Sequence, residues 1–151
     1  MRLYILSRSS KLYSTRRLVE AAELKGWNVR VIDYLRCSIE IMKGELHVSY
    51  LGEQLPIPDA IIPRIGASRT FYGTAMVRHF EMMDVFSTSG NLAIARSRDK
   101  LRSLQILSKH GVDMPKTVFA SNKSSAKDVI ALSGGAPLVL KILEGTQGVG
   151  V

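Results

Sequence analysis

The sequence holds one cysteine, Cys37, so an internal disulfide is excluded. That scarcity fits a reducing cytoplasm. Its three histidines, His47, His79 and His110, stand at no ligand spacing, so no zinc site is expected. No apolar run approaches the roughly 18 residues that a bilayer span needs, so no membrane partner is expected. The N-terminal apolar stretch is too short for a signal peptide and no small-residue cleavage site follows it. There is no Gly-Lys-Ser/Thr phosphate loop and no Gly-x-Gly-x-x-Gly fingerprint, which disfavours a dinucleotide oxidoreductase. No basic run is interleaved with aromatics, so direct nucleic-acid binding is not expected. Internal repeats and low-complexity segments are absent.

What remains is an ordinary globular composition with an unusual charge. The chain has 151 residues, the length of one domain or two small lobes. It is 46% hydrophobic and 23% charged. Twenty-one basic residues against 13 acidic ones leave a net charge of +8. That balance favours acidic partners.

Residues 3–6 read as a strand and 7–10 as the loop leaving it. A helix follows over about 14–25, with Leu18, Ala21 and Ala22 at helical spacing. Ser14 is the expected N-cap, and Gly26 and Trp27 the C′ and C″ residues. Residues 28–33 form a second strand, which completes a βαβ unit. Asp33 reads as a strand-end or turn residue. Residues 45–55 read as a hairpin turning near Gly52, and 59–63 as a third main-sheet strand. The helix expected over 70–83 carries Phe71, Ala75, Phe80 and Met83 on one side, with Met76, Met82 and Met83 as core filler. Val85 and Phe86 close the sheet, and residues 87–91 are the clearest linker. The expectation is an α/β protein: a Rossmann-like parallel sheet over 1–90 and a smaller α+β lobe over 91–151. In open α/β sheets ligands gather beyond the C-terminal ends of strands. Arg8, Arg64 and Arg69 are therefore candidates to line an acidic-ligand surface, solvated loop arginines being the plainer alternative.

In the second lobe a helix is expected over 97–109. With Leu101 at 0° and about 100° per residue, Leu104 and Leu107 fall near 300° and 240°. Arg98, Arg102, Gln105 and Lys109 cluster between about 40° and 100°, a solvated face. Lys100 falls near 260°, inside the apolar stripe, so it must snorkel, pair with a carboxylate or meet a ligand. Gly111 ends that helix, residues 116–119 read as a strand and 124–133 as a helix. Residues 138–143 read as a well-buried strand with one charge, Lys141, in its middle. The following Gly145-Thr146-Gln147-Gly148-Val149-Gly150 can wrap an anion with backbone N–H groups, and Lys141 would add a point charge. A plain hairpin with Lys141 in solvent is the alternative.

These stretches carry a resemblance. Ala95-Arg-Ser-Arg-Asp-Lys100, Gly111-Val-Asp-Met-Pro115, Pro137-Leu-Val-Leu-Lys141 and the glycine-rich turn look like the first half of an ATP-grasp ligase. Ile5-Leu-Ser-Arg8, Leu12-Tyr-Ser14, Val31-Ile-Asp33, Ile62-Pro-Arg-Ile-Gly66, Thr70-Phe-Tyr-Gly73 and Arg78-His-Phe-Glu81 closely resemble the RimK family. Members of that family are ATP-dependent ligases that add glutamate to the Glu-ended tail of a small-subunit ribosomal protein. The resemblance runs over essentially the whole chain.

It implies a pre-ATP-grasp domain over residues 1–90 and the start of an ATP-grasp N-terminal lobe from 91. Lys100 and Lys141 match the family's ATP-phosphate lysines, and Gly145, Thr146, Gln147, Gly148 and Gly150 its flexible phosphate loop. ATP, with magnesium or manganese, and free glutamate are the implied small molecules. The acidic tail of a ribosomal protein is the implied acceptor, and the cytoplasm the implied compartment. Ligases of this class are often homo-oligomers. The family's adenine hinge, metal ligands and C-terminal lobe would lie beyond Val151, so residues 1–151 are expected to be inactive alone, with no metal site among them. Two other readings stand beside this one. Another ATP-grasp ligase would join an amino acid to a small acid or cofactor. A non-catalytic basic module would bind acidic partners, with Lys100 and Lys141 structural.

Overall fold

The computed structural model describes residues 1–121 and 124–142. The chain divides into two compact units, Met1–Ala95 and Arg96–Val151.

The first unit is built on β1 (Arg2–Leu6), whose Leu3, Tyr4, Ile5 and Leu6 are all buried. A strand buried on both faces reads as a continuous apolar run, as in parallel sheets. The helix α1 (Tyr13–Glu23) follows and leads into β2 (Asn28–Ile32), parallel to β1 with Leu3 opposite Val29 and Leu6 opposite Ile32. The chain then crosses to the other side of β1. There β6 (Ala60–Pro63) pairs parallel with β1, and the two-residue β7 (Phe86–Ser87) pairs parallel with β6. The strand order is β2-β1-β6-β7.

Alternation along the strands sorts the core into two layers. Leu3 and Ala60 pack with Ala22 of α1, and with Trp27, Val29 and Ile62. Tyr4, Leu6, Ile32 and Ile61 pack with Met76, Val77 and Phe80 of α2 (Thr70–Met82). Successive side chains of a strand point to opposite faces, so α1 and α2 cover opposite faces of the sheet. The sheet is doubly wound, as expected.

Gly26 (φ +71°) ends α1 in a Schellman motif, with Trp27 N–H bonding to Ala22 C=O at 3.1 Å and Gly26 N–H to Glu23 C=O at 2.8 Å. The expected roles of Gly26 and Trp27 hold. Ser14 is not the N-cap. Leu12 holds that position without a side-chain cap, and the Ser14 hydroxyl bonds elsewhere. Asp33 is a turn residue, accepting the Leu35 N–H at 3.1 Å in a short 3₁₀ turn over Tyr34–Arg36.

Between β2 and β6 the chain forms a three-stranded antiparallel meander rather than one hairpin. Its strands are β3 (Cys37–Met42), β4 (Glu45–Tyr50) and β5 (Glu53–Gln54), in the order β3-β4-β5. The expected turn at Gly52 is present, with Leu51 and Gly52 both at positive φ, matching a type I′ turn. Val48, Leu55 and Cys37 of this meander join the core layer beneath α2. His79 Nε2 lies 3.0 Å from the His47 carbonyl, and the Tyr72 hydroxyl donates to the Cys37 carbonyl, fastening α2 to it.

The buried face of α2 is Gly73, Met76, Val77, His79 and Phe80. Phe71, expected on the same side as Phe80, is 88% exposed. Nine residues are two and a half helical turns, so the two rings lie on opposite sides. Met76 is core filler, Met83 is half-buried against the core, and Met82 faces solvent.

The expected helix over 97–109 is two helices, α3 (Asn91–Arg98) and α4 (Lys100–Lys109). Asp99 separates them, because its carboxylate accepts the Arg102 N–H at 2.9 Å and starts a new helix. The units divide inside α3, beyond the linker expected near residue 90. Glu81 explains the position: its carboxylate accepts the Asn91 N–H at 2.9 Å and also Asn91 Nδ2. Ile94 packs on the first unit's core.

In the second unit, α4 ends in a second Schellman motif at Gly111 (φ +70°), and α5 (Ala126–Ser133) starts at Ser125, whose hydroxyl accepts the Asp128 N–H. The strands expected over 116–119 and 138–143 are not seen among the described residues. No described segment forms a ladder with either, and Val139 and Leu140 are exposed instead of buried. Residue 143 lies outside the described residues.

Candidate functional site

The reversal of strand order places a switch point between β1 and β6, where the crevice beyond the strand ends is open to ligands. Leu6 stands opposite Pro63 in register, and the Arg64 N–H bonds to the Leu6 carbonyl at 2.8 Å. Arg8 and Arg64 therefore leave neighbouring strands at the same edge. Beneath them the buried hydroxyls of Ser7 and Thr15 share a hydrogen bond of 3.0 Å, joining the β1 loop to α1. The Arg64 guanidinium donates to Ser14 Oγ at 3.0 Å and so ties the end of β6 to the first turn of α1. Arg69 closes a 3₁₀ turn, Ala67–Arg69, directly before α2. All three arginines are exposed. The buried Tyr34 sets the loop between them, its hydroxyl accepting the Gly66 N–H at 3.3 Å.

In the second unit Lys100 is the first residue of α4. Its Nζ donates to the Ile142 carbonyl at 3.4 Å, so the start of α4 lies beside the segment that carries Lys141. A helix start presents amides and a positive dipole end to an anion. The apolar stripe expected on α4 is only partly covered: Leu101 and Leu104 are half-buried, Leu107 is exposed, and no residue of the helix is fully buried. Leu101 and Leu104 line an open groove of about 530 Å³ with Met114, Pro115 and Phe119. Gly145, Thr146, Gln147, Gly148 and Gly150 lie outside the described residues.

Cys37 is no nucleophile. Burial, and next the charge of Asp33, push its thiol up to about 12, so it stays protonated. Among the described residues no three His, Cys, Asp or Glu side chains gather as a metal site. Nor, among them, is any helix long and apolar enough to cross a membrane.

The fold and the switch point define a Rossmann-like domain followed by a second small unit, and comparison with known proteins gives both a family. The RimK PreATP-grasp domain family matches residues 1–94, and the RimK-like ATP-grasp domain family matches residues 97–151. The chain belongs to the RimK family. It is 60% identical over all 151 residues to a protein of Hydrogenovibrio crunogenus named probable alpha-L-glutamate ligase. It is 58% identical to one of the same name from Teredinibacter turnerae, again over its full length. The chain spans about half the length of these curated relatives, 50% in both cases. Among solved structures, the macrocyclase MdnB from Microcystis aeruginosa matches with a TM-score of 0.63 at 18% identity. That match covers 87% of this chain and 58% of the macrocyclase, and it shows the fold alone.

Strand β3 is not among the sequence expectations, although Cys37-Ser-Ile-Glu-Ile-Met42 alternates and Lys43-Gly44 is a turn signal.

Proposed function

We propose that this chain is the first half of an ATP-dependent ligase that adds glutamate to an acidic, Glu-ended protein tail, in the cytoplasm. The tail of a small-subunit ribosomal protein is the proposed acceptor. In the proposed reaction an acceptor carboxylate oxygen attacks the γ-phosphorus of ATP and ADP leaves. The glutamate amine then attacks the acyl carbon of the resulting acyl phosphate, phosphate leaves, and the amine releases a proton. Such chemistry needs positioning and charge neutralisation more than covalent help from the protein.

The observation that carries this reading is the Lys100 Nζ contact with the Ile142 carbonyl, which sets the helix-start lysine beside the Lys141 segment. Two cations and a helix start suit the phosphates of ATP. Gly145, Thr146, Gln147, Gly148 and Gly150 are proposed to close over the same phosphates, and Arg8, Arg64 and Arg69 to meet the acidic acceptor. Magnesium or manganese would neutralise phosphate charge when bound. Its ligands are proposed to lie in the part of the relatives' length that this chain does not span. Residues 1–151 alone are accordingly proposed to be inactive.

The test extends the chain with the second half of the Hydrogenovibrio crunogenus relative. The product is incubated with ATP, magnesium, glutamate and a Glu-ended peptide, and the intact peptide mass is read. A ladder of glutamate-sized increments, lost in Lys141→Ala, is expected. ATP turnover with a small acid but without a ladder would move the acceptor from protein to small molecule. No turnover with any acceptor would leave a basic binding module.

A further inference from the structure

Charge alone makes a poor acceptor site. Exposed arginines attract any polyanion, and salt screens them. The same end of the sheet also carries apolar side chains that no core requires. Leu12 precedes α1, and Tyr13, its first residue, is 72% exposed. Phe71, the second residue of α2, is 88% exposed. Because α1 follows β1 and α2 follows β6, both helices begin at the C-terminal edge of the sheet. They lie on opposite faces, so Tyr13 and Phe71 flank the switch point from its two sides. The Arg64 bond to Ser14 fixes the turn next to Tyr13, and Arg69 stands two residues before Phe71. Each aromatic is thus paired in the chain with one of the arginines.

We propose that this edge is a two-part acceptor site. Arg8, Arg64 and Arg69 receive the acidic run, and Leu12 with Tyr13 on one side, or Phe71 on the other, offers an apolar anchor to an aromatic or long aliphatic side chain next to that run. This rests on the acidic-acceptor reading above and adds the rule by which one acidic tail is chosen over another. Rigid aromatic side chains bury large area at small entropic cost and dominate interface energetics when ringed by polar groups. A nucleic-acid strand is the weaker occupant, since stacking platforms interleave aromatics along one continuous basic groove. Here the rings start separate helices on opposite faces.

The test uses residues 1–151 and fluorescein-labelled peptides read by anisotropy. One peptide is six glutamates, and the second has a phenylalanine before the same acidic run. The expected result is about tenfold tighter binding of the phenylalanine peptide. Tyr13→Ser with Phe71→Ser should remove that preference and leave the plain peptide's affinity unchanged, while Arg64→Ala weakens both. A preference that survives the double substitution overturns the aromatic anchor and leaves the acidic-acceptor reading standing. Failure of both peptides to bind sinks the acceptor reading and this inference with it. A labelled oligouridine that binds tighter than either peptide, through the same two rings, would reassign the edge to nucleic acid. Sedimentation of both proteins provides the last check: a dimer lost in the double variant would assign the rings to self-association and overturn the proposal.

Discussion

Arg64 reaches from the end of β6 to Ser14 in the first turn of α1, with its guanidinium 3.0 Å from the serine oxygen. One bond thereby links the two strand–helix connections that frame the switch point. Both partners are solvent-facing, so the bond itself contributes little to stability, about 1 kcal/mol at most. Arg64→Glu should leave the melting temperature nearly unchanged. Affinity for a hexaglutamate peptide should fall more than tenfold, and its salt dependence between about 50 and about 200 mM should flatten. Peptide titration at both salt concentrations checks this.

Gly73 sits on the buried face of α2 because nothing larger fits. A Cβ there would lie 2.3 Å from Ile65 Cγ2 and 3.0 Å from Ile65 Cδ1, and Ile65 is itself buried. Alanine would gain about 1 kcal/mol of helix propensity. It would lose more by forcing the helix away from the core, where overpacking costs about 1–3 kcal/mol. Gly73→Ala should lower the urea midpoint, and Ile65→Ala in the same chain should partly restore it. Equilibrium unfolding of the two single variants and the double gives the coupling.

Alkaline pH should destabilise the first unit. Burial raises the Cys37 thiol from 9.0 to about 12 and raises the Tyr4 and Tyr72 hydroxyls in the same direction. A thiol with a higher folded pKa stabilises the fold fully below its unfolded value. That contribution disappears as pH climbs through the folded value. The urea midpoint should therefore fall between about pH 9 and pH 12, and less steeply in Cys37→Ala. At pH 8 the native thiol should resist an aromatic disulfide reagent that modifies the urea-unfolded chain at once. Rapid modification of the native chain would contradict the burial.

Glu81 holds Asn91 by its backbone N–H and its side-chain amide together, and so sets the start of α3. Glu81→Ala should cost about 1–2 kcal/mol through loss of charge-assisted bonds to a half-buried carboxylate. The damage should be local. Amides over residues 88–98 should exchange faster, whereas β1 and β6 should keep their protection. Hydrogen exchange followed by mass spectrometry resolves the two regions.

Much of the first unit was legible in advance because its signals are local. The apolar run of β1, the Gly26-Trp27 helix end and the Gly52 turn each follow from the chemistry of a few adjacent residues. The failures came where a choice depended on something distant. Ser14 has the side chain of an N-cap, but Arg64, 50 positions away, takes its hydroxyl. The break at Asp99 is the local exception: Leu101, Leu104 and Leu107 are periodic and predict a helix running through it, but its cap bond to the Arg102 N–H, three residues on, starts a new one. In the second unit the sequence predicts strands at 116–119 and 138–143, the latter from a short apolar run bounded by turn residues. A strand exists only with a ladder partner, and among the described residues neither has one. The helical wheel puts Lys100 inside the apolar stripe, and in the structure its Nζ donates to the Ile142 carbonyl.

The sequence by itself determined the parallel sheet, its two crossover helices and the basic character of the chain. Hydrophobic period, glycine conformational freedom and net charge are properties of residues and their near neighbours. Only the tertiary structure decided which side of α2 is buried, why glycine stands at 73, and which arginines share an edge. Those outcomes depend on Ile65 filling the space beside Gly73 and on β6 pairing with β1 across more than 50 intervening residues. Packing and register bring together parts of the chain that no local pattern connects.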